Sequence, residues 1–168
     1  MAYPSLYCPR CGSYERHRLL ALQLRDRPEL LAPPLRLLQV SPDRPLERLV
    51  SRGGIERISI DIDNPAVDLQ MDVHRLSFFD ASFDAVLALH VVGELADERR
   101  ALAELHRVLR PGGRAILQVP VDRQPALLES LRAAGFETEA LAAGALGAGA
   151  IARYGLIPEE LTCLGRKP

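Results

Sequence analysis

The residues of this chain best suited to chemistry begin with a cysteine pair. Cys8-Pro-Arg-Cys11-Gly12 has the C-x-x-C spacing and trailing glycine that let two thiolates grip one metal ion. One such knuckle is half of a zinc site. His17 and Cys163, and after them His74 and His106, are the side chains that could complete it, and a second chain could also contribute. A redox pair or plain free thiols are the other readings of the same spacing. The second feature is "LLQVSPDRPLERLV", residues 37–50, which reads as a buried strand, a tight polar turn and the start of a helix. In many nucleotide-binding α/β domains this junction is rich in glycine, so that backbone can approach a phosphate or sugar. Here it offers Ser41, Pro42, Asp43 and Arg44, and the next glycine is Gly53. There is no G-x-S-x-G elbow to support a serine nucleophile, and no constellation suited to iron or magnesium.

These residues need elements to hold them, and the hydrophobic pattern supplies a regular series. A loop rich in Pro, Tyr and Cys over 1–12 leads to a helix that carries Leu19, Leu20, Leu22, Leu24 and Leu30, with Ser13 a suitable N-cap. "APP" at 32–34 ends it. A strand at 35–40, a helix over about 44–52 stopped by Gly53 and Gly54, and a strand at 57–63 follow. "FDAVLALHVV", 83–92, is a nearly unbroken apolar run, as expected of a strand covered on both faces. A helix with Ala101, Leu102, Leu105, Val108 and Leu109 on one face comes next, then a strand at 114–120 and a short helix after Pro125. "FETEALA" and "ELTCLG" predict a last antiparallel strand pair forming an edge hairpin. The small-residue stretch 143–159 between them suits either a loose helix or a mobile lid.

Steady alternation of strand and helix implies an α/β fold: a Rossmann-like, doubly wound, mostly parallel sheet with helices on both faces and a C-terminal antiparallel strand pair. Residues 1–34 form a cysteine-containing loop and helix, and residues 35–168 the sheet-bearing part of a single compact domain. Ligands in such sheets bind outside the carboxyl ends of the strands. That rule selects the turn 41–44, Asp61 with its neighbours, the loop at Asp72 and the residues after Leu89.

The chain has 168 residues and a net charge of −1, with Lys167 as its one lysine, so it carries no broad basic field for nucleic acid or anionic lipid. No apolar run reaches the roughly 18 residues of a membrane span, and "MAYPSLYCPRCG" lacks the apolar core of a signal peptide. A cytoplasmic protein with no membrane and no nucleic-acid partner is the expectation, and the cysteine usage suits a reducing compartment. An edge hairpin and a leucine-rich first helix would permit a homodimer or a protein partner.

"SFDAVLALHVVGELADERRALAELHRVLRPGGRAILQVP", with "DIDNP" and "MDVHRLSF" before it, resembles the class I S-adenosylmethionine-dependent methyltransferases, type 11-like. The resemblance spans about residues 35–142. The opening "CPRCGSYERHRLL" is similar to that of a smaller group within this family, whose first motif is often poor in glycine too. The resemblance implies S-adenosylmethionine as cofactor, to which the spacing of Cys8 and Cys11 adds zinc as a candidate. It implies Asp61 as the carboxylate for the ribose hydroxyls, with Asp63 close enough to replace it, and Asp72 and Val73 as acceptor and backbone donor for the adenine. Leu89 and His90 would line the sulfonium end. Ser41 and Asp43 would stand in the glycine-poor first motif, and Arg16, Arg18 and Arg44 are candidates for the methionine carboxylate. A small-molecule or modified-peptide acceptor that must lose a proton would find His90 and Glu94, then His17 and Tyr154, as titratable neighbours. Many relatives resemble HVLEH where this chain reads "HVVGEL", so the substrate end differs. A binding module or regulatory partner without catalysis is the alternative.

Overall fold

The computed structural model describes residues 7–51 and 53–168. Its helices are α1 (Glu15–Asp26), α2 (Glu47–Val50), α3 (Glu98–Val108), α4 (Gln124–Ala133) and α5 (Ala148–Tyr154). Its strands are β1 (Leu35–Val40), β2 (Ile55–Asp61), β3 (Leu69–Gln70), β4 (Phe83–Leu89), β5 (Leu109–Gln118), β6 (Glu137–Ala142) and β7 (Leu161–Arg166). They form one sheet in the order β3-β2-β1-β4-β5-β7-β6. The first five are parallel, and β7 runs antiparallel to both β5 and β6.

The expected C-terminal strand pair is therefore present, but it is not an edge hairpin. β7 slots between β5 and β6, which leaves β6 at the border. The physical reason lies in the side chains. "LTCLG" buries Thr162, Cys163, Leu164 and Gly165, whereas every residue of β6 is at least partly exposed. The two sequences fill an interior and a border position accordingly.

Alternation along the strands divides the core between two faces. On one face, Leu37, Leu87, Leu89, Ile116 and Leu164 pack with Leu20 and Leu24 of α1 and with Leu46 and Val50 around α2. On the other, Leu38, Val40, Val86, Ala88 and Leu117 pack under Ala101, Leu102 and Leu105 of α3 and Leu127 and Leu131 of α4. Leu109, whose spacing places it on the helical face, is instead the first residue of β5. Helix α3 starts at Asp97, whose carboxylate accepts the N–H of Arg100 at 3.0 Å. The middle of "SPDRPLERLV" is a 3-10 turn over Arg44–Leu46, so α2 is shorter than its pattern suggests.

The stretch 143–159 is a piece of packed structure. A 3-10 turn over Ala143–Leu146 and helix α5 lie against α1, with Ala143 and Leu156 buried beside Leu19 and Leu22. Polar contacts fasten the same edge. Arg18 donates to the carbonyls of Tyr154 and Gly155, and Gln23 Nε2 donates to the carbonyl of Leu141 at 2.8 Å. A buried relay continues across the sheet, where Gln118 Nε2 donates to Thr162 Oγ1 at 2.7 Å and Thr162 donates to Gln23 Oε1 at 2.5 Å. This relay is what α1 recognises in the C-terminal half of the sheet.

Breaking the relay leaves buried donors and acceptors without partners, which costs about 1–3 kcal/mol. Thr162→Val is expected to lower the unfolding free energy by that amount, read as a lower urea midpoint with an unchanged slope, and Thr162→Ser to recover most of it. Equal midpoints for the valine variant and the parent would show that the relay contributes nothing.

Candidate functional site

The site begins at the β1–α2 turn. Ser41 follows the last residue of β1 with a φ of +48°, a left-handed conformation that glycine adopts without cost and other residues adopt at about 1–2 kcal/mol. Its N–H donates to the carbonyl of Ile60 at 2.8 Å, which ties the turn to β2. The chain thus makes the bend of a glycine-rich turn with a hydroxyl-bearing residue. The narrow cleft lined by Gln39, Val40, Ser41, Asp43, Leu46, Leu87 and Leu89 measures about 160 Å3 and has no room for a water-sized sphere.

Asp43 holds this turn against the N-terminal segment. Its Oδ2 lies 2.8 Å from His17 Nε2 and 3.5 Å from Arg16. His17 is 3% exposed, and its Nδ1 accepts the N–H of Tyr14 at 3.1 Å. That bond places the ring proton on Nε2, from which it is donated to Asp43. The His17 bond, aided by the nearby Arg16 charge, outweighs burial and holds the Asp43 carboxyl below the ordinary carboxylate range. Arg18 is engaged by Ser13 and by the α5 carbonyls. Of the three arginines proposed for a methionine carboxylate, Arg44 is exposed and carries no ion pair among the described residues.

Asp61 ends β2, beside the turn. Burial raises its pKa, but hydrogen bonding from the Ser41 hydroxyl and from the N–H groups of Asp63 and Asn64 outweighs that and brings it below the ordinary value. Both backbone donors reach Oδ1 at 2.9 Å. Asp63 donates to Asp61 through its backbone, so the two carboxylates have separate tasks. The next residue, Ile62, is 61% exposed, an apolar side chain left in solvent next to a charged one. Beyond β3, Asp72 Oδ1 accepts from the His74 N–H at 2.9 Å and lies 2.6 Å from its ring Nδ1, and these bonds hold the Asp72 carboxyl below its ordinary value. Val73 is buried beneath this turn.

The end of β4 carries the third element. Leu89 is buried, and His90 has a φ of +55° with its N–H donated to the carbonyl of Gln118 at 2.7 Å. His90 Nε2 lies 3.7 Å from Oε1 of Glu160, too far for a direct hydrogen bond. Glu160 is 2% exposed, and its Oε2, like His90 Nε2, has no partner. β7 is antiparallel, so the residue before it lies at the same end of the sheet as the residue after β4. The sequence pattern missed Glu160. Its signal was an acidic pair, Glu159-Glu160, immediately before a buried strand. Glu94 sits exposed on the 3-10 turn Val92–Glu94.

The structure brings Ser41, Asp43, Asp61, Asp72, Val73, Leu89 and His90 to one end of the sheet. The expected zinc site does not assemble. Among the described residues no group of three or more His, Cys, Asp or Glu side chains could hold a metal. His17 spends both ring nitrogens on Tyr14 and Asp43, Cys163 is buried in the core, and His74 is turned to Asp72. His106 packs edge-on against Phe136 with ring centroids 4.8 Å apart. Cys8 and Cys11 sit in their own turn, where the Gly12 N–H donates to the Cys8 carbonyl at 2.8 Å. Hydrogen bonding from the Ser13 side chain and backbone, and then from the Cys8 thiol, lowers the Cys11 pKa to about 7, while burial raises that of Cys163 to about 11.

Residues 44–117 match the family model described as "Methyltransferase domain". The chain is 37% identical over 71 residues to 27-O-demethylrifamycin SV methyltransferase of Amycolatopsis mediterranei, an overlap covering 42% of this chain and 26% of that one. The chain spans 16% to 45% of the length of such curated relatives. Among solved structures, the [4+2]-cyclase SpnF superposes with a TM-score of 0.65 at 23% identity, covering 90% of this chain and 80% of that one. The 1,6-didemethyltoxoflavin-N1-methyltransferase of Burkholderia thailandensis, with bound 1,6-didemethyltoxoflavin and S-adenosylhomocysteine, gives a TM-score of 0.62 at 18% identity, covering 91% and 79%. The fold is that of the Rossmann-like methyltransferases, and residues 44–117 carry the match to a methyltransferase domain. No helix among the described residues is long and apolar enough to cross a membrane.

Two substitutions test the geometry of the turn. Asp43→Ala leaves the buried His17 without its partner, at a cost of about 1–3 kcal/mol. The folded-state pKa of Asp43 is depressed, so its contribution is present above the unfolded value of about 3.9 and fades as pH falls through the folded value. Urea unfolding should give a constant difference between parent and variant above about pH 5 that shrinks towards pH 3; a difference independent of pH would show that the charge is immaterial. At Ser41, alanine and glycine both lose the hydroxyl, but only glycine relieves the positive φ. Ser41→Gly is expected to be the more stable by up to about 1 kcal/mol, and the reverse order would place the strain elsewhere.

Proposed function

We propose that this chain transfers a methyl group from S-adenosylmethionine to a small-molecule or modified-peptide acceptor. The observation that carries the reading is the convergence of Asp61, the Asp72–Val73 turn and Leu89–His90 at the carboxyl ends of β2, β3 and β4, where doubly wound sheets take their ligands. The residues present suit the nucleoside half of the cofactor. Asp61 is an ionised, partly exposed carboxylate, and paired ribose hydroxyls are donors that a carboxylate accepts. Ile62 offers an apolar surface beside it for a base. Asp72 and Val73 would hold the adenine edge by an acceptor and a backbone N–H.

The chemistry supplied by bound S-adenosylmethionine is an electrophilic methyl group on a sulfonium. The protein's part is alignment, which converts an encounter of two molecules into a reaction within one complex. Ser41 and Leu89 would border the sulfonium end, with Arg44 for the carboxylate. His90 is the side chain placed to take a proton from an acceptor hydroxyl or amine, with the exposed Glu94 as second candidate.

Binding of S-adenosylhomocysteine tests this reading. At about a hundredfold over its dissociation constant it should stabilise the fold by roughly 2.7 kcal/mol, measured by thermal unfolding. Hydrogen bonds to a charged group contribute about 1.5–3 kcal/mol, so Asp61→Ala should weaken binding by roughly 10- to 150-fold. Unchanged affinity in that variant would remove the ribose assignment. One observation favours a second reading, a binding module or regulatory partner without catalysis: the cleft under Ser41 has no room for a water-sized sphere, whereas small-molecule sites begin at roughly 300 Å3. Absence of any stabilisation by S-adenosylhomocysteine would select it.

A further inference from the structure

The N-terminal knuckle is left over by the methyl-transfer reading and by the missing metal site. Tyr7 and Tyr14 pair across it as an isolated antiparallel bridge, and the Cys8 N–H donates to the Ser13 carbonyl at 2.8 Å, so the loop between the two thiols has a defined shape. Cys11 is exposed, with its sulfur 3.1 Å from the Ser13 hydroxyl, and Cys8, half-buried, stands at the other end of the same turn, closed by the Gly12 N–H on the Cys8 carbonyl. Cys11 opens onto a cavity of about 600 Å3 that is also lined by Tyr7, Arg10, Gly12, Arg44 and Pro45. Neither Arg10 nor Arg44 pairs with a carboxylate among the described residues. An accessible thiol and two uncommitted guanidinium groups therefore share one cavity wall, with a second thiol three residues away in the same closed turn.

The geometry points to a thiol–disulfide exchange site at Cys11 and Cys8 that takes a small disulfide bearing carboxylates. Cys11 thiolate attacks one sulfur of the small disulfide, whose S–S bond breaks, and one thiolate leaves with the bonding electrons and takes a proton from water. Cys8, having lost its proton to solvent, then attacks the Cys11 sulfur. The mixed disulfide breaks and the second small thiolate leaves. Two protein thiols are oxidised to one disulfide, and one small disulfide is reduced to two thiols. Arg10 and Arg44 contribute the recognition, because guanidinium pairs with carboxylate in a forked geometry that a cationic disulfide cannot use.

The test uses the full chain, reduced and freed of reductant, with oxidised glutathione and cystamine as probes. Each rate is divided by that of a simple thiol with the same probe. The parent is expected to form a Cys8–Cys11 disulfide with oxidised glutathione, located by peptide mass spectrometry, and Cys8→Ser to stop at one glutathione adduct on Cys11. Oxidised glutathione should react faster than cystamine, and Arg10→Gln with Arg44→Gln should lower its rate about three- to tenfold while sparing cystamine. Added salt should narrow the preference. Absence of the internal disulfide in the parent, or of the adduct in Cys8→Ser, overturns the exchange site. Equal normalised rates for the two probes overturn the carboxylate recognition. One tightly held metal ion per purified chain, with both thiols blocked to exchange until it is removed, overturns the proposal in favour of a metal site.

Discussion

One carboxylate fixes the relation between the two parts of this molecule. Asp43, in the turn after β1, receives the His17 Nε2 proton, and His17 in turn receives the N–H of Tyr14. The three groups form a chain from the entry of α1 to the first turn of the sheet. Because His17 is buried, a displaced Asp43 would leave its imidazole without a partner in a dry setting, which is costly. The contact joins the entry of α1 to the β1–α2 turn, while Leu20, Leu24 and the Gln23–Thr162 bond hold the rest of α1 to the sheet. A turn built from glycines would have no side chain with which to make it. The lack of glycine and the presence of "ERHR" in α1 are thus one feature of the sequence.

The same contact accounts for the crowding under Ser41. Asp43 and Leu46 turn inward where a glycine-rich loop would leave a groove, and the remaining cleft of about 160 Å3 cannot take a water-sized sphere. The nucleoside end is different. Asp61, Ile62 and Asp72 lie at or just beyond the carboxyl ends of β2 and β3, with at least part of each side chain in solvent. The two halves of the site are governed by different neighbours, α1 for one and the ends of β2 and β3 for the other.

Much of the architecture was legible because apolar periodicity decides it. The continuous run "FDAVLAL" marked a central strand, and the spacing of Ala101, Leu102, Leu105 and Val108 marked a helix over it. Pattern puts the second strand at 57–63, two residues past its end at Asp61, and it is the family resemblance that singles out Asp61. What pattern could not define were the contacts between distant segments. The insertion of β7 between β5 and β6 depends on which of two short strands can be buried on both sides. The pairing of His17 with Asp43 joins residues 26 apart in the chain, and Thr162 joins Gln23 across 139. The knuckle read as half a metal site because spacing shows what two thiols can grip. Spacing does not show that His17 and His74 are already bonded to aspartates, or that Cys163 is packed away in the core and His106 against Phe136.

Ser41 and His90 bear on whether this end of the sheet is a working site or a relic of one. Both are non-glycine residues at positive φ, and they follow the last residues of two adjacent, paired strands, β1 and β4. Each such residue costs of order 1–3 kcal/mol and persists where surrounding structure over-determines it. Ser41 is held by Ile60 through its backbone and supplies a hydroxyl to Asp61; His90 is held by Gln118 and turns its ring towards a buried, unpartnered Glu160. A scaffold with nothing to bind would lose little and gain stability by placing glycine at both points and an apolar residue at Glu160. Two of the three described non-glycine residues at positive φ, Ser41 and His90, and the unbonded Oε2 of Glu160 stand at the carboxyl end of the parallel strands, while the third, Ala81, precedes β4 at the other end. Under the methyl-transfer reading proposed above, Ser41 and His90 are the two that border the cofactor.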